Sequence, residues 1–96
     1  MPIFIKTELI KKEYLIQNEI RNKIINEHIK WIKKLIKKGI DIKSGFLVDE
    51  FKKPGAGGLL ILKMETYKDA LAIVHNDPMI KNDLVDWQLL EWINVS

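Results

Sequence analysis

Hydrophobic residues recur with two different periods along this chain, and the order of those periods constrains the fold more than any other feature. Over residues 17–38 the spacing is helical. At about 100° per residue, Ile24, Leu35, Ile32, Ile25, Ile36 and Ile29 fall in one arc beside Ile20. Lys23, Lys30, Lys33, Lys34 and Lys37 fall on the opposite side. The lysines of the last turn suit the helix dipole, and Gly39 supplies a C-terminal stop. Either side of this helix the period is two. Residues 2–10, 40–50, 59–64 and 85–95 therefore read as strands. Residues 11–16 read as a connection into the long helix, and KKPGAGG at 52–58 as a turn cluster. Thr66 can cap a second helix from Tyr67 to about His75. Asn76-Asp77-Pro78 ends that helix, because the residue before proline avoids the α region. Residues 79–84 form at most one further turn.

The resulting order is β-α-β-β-α-β. It predicts an α+β, ferredoxin-like fold: a four-stranded antiparallel sheet with two helices on one face. Ninety-six residues are expected to form a single domain over 1–96. At 47% hydrophobic and 30% charged, the composition is globular. There is no cysteine, which excludes disulfides, thiolate zinc sites and a cysteine nucleophile. No apolar run reaches the roughly 18–20 residues that span a bilayer. The first residues lack the apolar core and cleavage site of a secretory signal. A cytoplasmic location and no membrane partner are expected. Residues 1–48 carry eleven bases and five acids; residues 49–96 carry five bases and eight acids. Arg21 is the one arginine, so bidentate recognition of bases or phosphates is poorly supplied. No nucleic-acid partner is expected, and the lysine run reads as a solvated helix face.

Two helices cover one face of such a sheet, and the other should be polar if it meets water. Here both faces are apolar: Leu59 and Ile61 oppose Leu60, Leu62 and Met64, and Val85, Trp87 and Leu89 oppose Leu90 and Trp92. A patch of that size predicts a homodimer joined through the open sheet face, a two-chain α/β barrel.

Polar residues that break the apolar pattern are the candidates for chemistry. His28 lies at about 80° on the helical wheel, near the middle of the apolar arc, with Trp31 at its edge. Asp77 lies about ten residues after the start of the second helix, and His28 about ten before the end of the first. With the helices antiparallel on one sheet face, both groups stand roughly 15 Å from the same sheet edge, at 1.5 Å per residue. They should be level. Ser44 reaches the same region if its face of the strand points to the helices. A carboxylate beside an imidazole fixes its tautomer and raises its basicity, which suits a general acid or base near neutral pH. The same pair also serves as a buried structural hydrogen bond. The PGAGG stretch lacks the Lys-Ser/Thr of a phosphate loop and leads into a strand. No metal site and no cofactor are expected.

Several of these residues together resemble a known family. His28-x2-Trp31, Gly39, Ser44-Gly45, Gly57-Gly58-Leu59-Leu60, Asp77-Pro78-Met79 and the closing Trp87 and Trp92 are similar to the pattern of YciI-like (YCII-related) proteins. The resemblance spans nearly the whole chain. It implies a dimeric α/β barrel and a His–Asp pair in a pocket, which maps onto His28 and Asp77. Some relatives are similar to muconolactone isomerase in fold, and one YciI-like member is a dehydrochlorinase acting on a chlorinated hydroxyhydroquinone. Ile25-Asn26-Glu27 stands where many members carry Arg-Pro-Ala.

Two functions fit. In the first, the chain is a small enzyme of lyase, isomerase or dehalogenase type acting on an apolar or aromatic small molecule. His28 moves a proton, Asp77 orients it, Ser44 contacts the ligand, and Ile24, Trp31, Ile32 and Phe46 line the pocket. In the second, it is a non-catalytic ligand-binding or assembly module, and the pair is structural.

Overall fold

A computed structural model describes all 96 residues. The elements are β1 (Ile3–Ile10), a short 3-10 turn (Lys12–Tyr14), α1 (Asn18–Lys37), β2 (Ile42–Val48), β3 (Pro54–Lys63), α2 (Tyr67–Val74), α3 (Pro78–Lys81) and β4 (Val85–Trp92). All sheet pairings are antiparallel, in the order β2-β3-β1-β4, so β1 and β3 are central. This is the ferredoxin-like arrangement.

Local chemistry sets the helix ends. At the end of α1, Gly39 takes a φ of +89°. The amide of Ile40 then donates to the Leu35 carbonyl and that of Gly39 to the Ile36 carbonyl, a Schellman closure. Thr66 caps α2 by accepting from the Asp69 amide (3.1 Å). Asp77 caps α3 by accepting from the Met79 amide (2.9 Å), with Pro78 at the first helical position.

One sheet face carries Phe4, Leu60, Leu62 and Leu89, which pack on Ile32, Ala70 and Val74 to form the main core. Ile24, Met79, Leu84 and Val85 form a second cluster beneath α3. The other face presents Ile61, Leu90 and Trp92, all exposed. No helix is long and apolar enough to cross a membrane.

The glycine-rich segment departs from expectation. The turn is only residues 49–53, where the Asp49 side chain accepts from the amides of Phe51 (2.8 Å) and Lys53 (3.0 Å). Pro54 to Gly58 belong to β3, paired with β2 across an irregularity between Phe46 and Val48. Glycine is required at Gly57: its φ is +94°, and a Cβ there would lie 2.2 Å from the Glu8 carbonyl oxygen. The last strand also ends at Trp92, short of Val95.

Candidate functional site

The site begins at the cap of α3. The capping residue, Asp77, has one carboxylate oxygen already committed, since Oδ1 accepts from the Met79 amide. The same Oδ1 lies 2.7 Å from His28 Nδ1, and Oδ2 accepts from Lys6 Nζ at 2.6 Å. Lys6 Nζ has a second anionic partner, Glu8 Oε1, at 3.1 Å. Asp77 and Lys6 are fully buried, and Glu8 and His28 nearly so.

Burial works to raise the Asp77 pKa. The His28 hydrogen bond and the Lys6 charge outweigh it, and the net shift is downward from 3.8. Asp77 is therefore an anion at neutral pH. An anion at Oδ1 places the neutral imidazole's proton on Nδ1, which donates to Asp77. Nε2 is then the basic nitrogen, and it accepts from Ser44 Oγ at 2.8 Å. Ser44, His28 and Asp77 thus form one line of hydrogen bonds. Each comes from a different element: edge strand β2, helix α1 and the cap of α3.

A cavity of about 930 Å³ opens over this line, between α1 and the β2–β3 side of the sheet. His28, Ser44, Ile32 and Phe46 line it, together with Ile25, Ile29, Met79 and Glu8. Ile24 and Trp31, expected on its wall, are elsewhere. Ile24 is buried in the second core cluster. Trp31 packs on the main core, its ring centroid 5.8 Å from that of His28. The cavity sits at one side of the apolar arc of α1, while Ile24 and Trp31 occupy the other. Asp77 lies behind His28, away from the wall.

Lys6 and Glu8 are the members that sequence reasoning missed. Their signal was present: they alternate in step with Phe4, and the first strand of this topology is central. A polar side chain sharing Phe4's face is necessarily buried beneath the helices.

The fold resembles that of known structures. A 5-chloro-2-hydroxyhydroquinone dehydrochlorinase from Burkholderia phenoliruptrix AC1100, solved in complex with 2,5-dihydroxybenzoquinone, superposes with a TM-score of 0.71 at 20% identity. The match covers 97% of this chain and 95% of that one. The de novo designed protein Ferredog-Diesel superposes with a TM-score of 0.58 at 10% identity, covering 94% and 84%. A designed protein sharing the fold illustrates that architecture alone assigns no chemistry. No curated protein matches the chain in sequence. The model of the YCII-related domain matches residues 5–93, and the chain belongs to that family.

Proposed function

We propose that the chain is a small cytoplasmic enzyme, a homodimer through its open sheet face, that moves a proton on an apolar or aromatic small molecule in an elimination or isomerisation. The observation that carries this is the orientation of His28: Nδ1 is tied to a buried carboxylate, and Nε2 is presented at the wall of an apolar cavity. A ligand proton displaces the Ser44 hydrogen bond and passes to Nε2. Asp77 stabilises the imidazolium that forms. The electron pair left on the ligand forms a new π bond. It either expels a leaving group such as chloride from a neighbouring carbon or is reprotonated elsewhere. The dehydrochlorinase of the same fold makes a chlorinated hydroxyhydroquinone the first substrate to try.

The test is chloride release from that compound, with solvent-deuterium exchange into small cyclic enols as a second assay. His28→Ala should lower turnover by about 10²–10⁴-fold while the chain stays folded. Activity surviving in that variant would refute the assignment. If the wild type turns nothing over and His28→Ala only lowers the melting temperature, the chain is instead a non-catalytic module.

A further inference from the structure

The cavity over His28 has a second polar end. Arg21 lines it, seven residues before His28 on the same helix. Seven residues are two turns, so the two side chains leave α1 within about 20° of each other and about 10 Å apart along its axis. Ile25, one turn from each, lines the wall between them. Arg21 is half-buried, so solvent reaches it. Its guanidinium is nevertheless fixed. Nη1 donates to the carbonyls of Tyr14 (3.1 Å) and Leu15 (2.6 Å), and Nη2 to Asn18 Oδ1 (2.6 Å). Leu15 is itself a lining residue, which holds the guanidinium at the cavity wall. Of the five guanidinium N–H donors, Nε–H and one on Nη2 are taken by no group of the chain.

We propose that Arg21 anchors the carboxylate of an arylalkanoic acid, a ring joined to a carboxylate by a short chain, whose ring lies over Ile25 with its far end at His28 Nε2. This rests on the proposed function in placing the reacting end of the ligand at His28; the anchoring itself needs no turnover. A guanidinium is a permanent cation, and its planar fork matches a carboxylate. The other charged lining residues are Lys33 and Glu8. Glu8 is already ion-paired with Lys6 at 3.1 Å. Lys33 lies past His28 towards the other end of α1, on an exposed, flexible stem. The fixed cation is therefore Arg21, and the roughly 10 Å from there to His28 is walled by Ile25, Ile29 and Phe46, which suits one ring and a short chain.

The probes are 3-phenylpropanoate and its neutral amide, 3-phenylpropanamide, which share a shape and differ in charge. Dissociation constants are measured by protein-observed NMR at fixed ionic strength. The wild type should prefer the acid by about tenfold or more. Arg21→Gln should lose that preference, and Lys33→Gln should keep it. Because the chain has one arginine, its Nε–H gives a single side-chain signal. In the wild type that signal should move with the acid and stay still with the amide, a readout that needs no variant to fold. The Ile25 methyl and His28 ring signals should move with it. The preference should persist in His28→Ala, so an inactive wild type that still shows it would sink the catalytic reading and leave the anchor standing. Equal affinity for acid and amide, no binding of the acid up to about 10 mM, or a stationary Arg21 signal would overturn the proposal. So would an Arg21 shift with Ile25 and His28 unmoved, which marks a surface ion pair only, or a preference kept by a folded Arg21→Gln and lost in Lys33→Gln.

Discussion

Lys6 is the only cation between two buried carboxylates, and replacing it with methionine isolates that role. The methionine keeps an unbranched apolar stem while deleting the ammonium. Nζ stands 2.6 Å from Asp77 Oδ2 and 3.1 Å from Glu8 Oε1, with the Lys6 side chain fully buried. Without it, two carboxylates share a buried site. Removing one partner of a buried ion pair costs about 3–5 kcal/mol, because the remaining charge is left uncompensated. That is a large part of the roughly 5–15 kcal/mol available to a domain. With an m-value of about 1–1.5 kcal/mol per molar urea, the unfolding midpoint should fall by about 2–5 M. The measurement is urea denaturation followed by circular dichroism, at fixed protein concentration because association contributes to apparent stability. The triple variant Lys6→Met, Glu8→Gln, Asp77→Asn removes the charges together, and asparagine keeps the capping role at position 77. It should recover at least half of the loss. A midpoint lowered by less than the equivalent of about 1 kcal/mol, or a triple variant no more stable than the single one, would refute the electrostatic account.

Two further outcomes follow from the same structure. Asp77 is held below its ordinary pKa of 3.8, so its contribution to stability is fully present above that value and is lost as pH falls below it towards the folded-state value. Urea unfolding from about pH 6 down to pH 2 should show that acid loss in the wild type and a flatter profile in Asp77→Asn; identical slopes would contradict it. On the open sheet face, Ile61→Lys should convert a particle of twice the 11.2 kDa chain mass into a monomer by light scattering, whereas a monomeric wild type at micromolar concentration would end the dimer proposal.

The sequence by itself determined the order of elements, because the switch between periods of 3.6 and two is a local property of side-chain spacing. It also determined the level at which His28 and Asp77 stand. Rise per residue and antiparallel helices on one face were enough for that, and the observed separation is 2.7 Å. Tertiary structure decided what surrounds the pair. Lys6 reads as an ordinary polar strand residue until β1 pairs on both edges and its Phe4 face is covered by helices. Such long-range pairing is set by residues more than fifty positions away. The rotation of α1 was likewise decided by packing. One half of its apolar arc, with Ile24 and Trp31, is pressed into core. The other half, with Ile29 and Ile36, is left half-exposed along the cavity. A helical wheel shows that an arc is apolar; only the neighbours it meets determine which part becomes core and which part becomes the wall of a site.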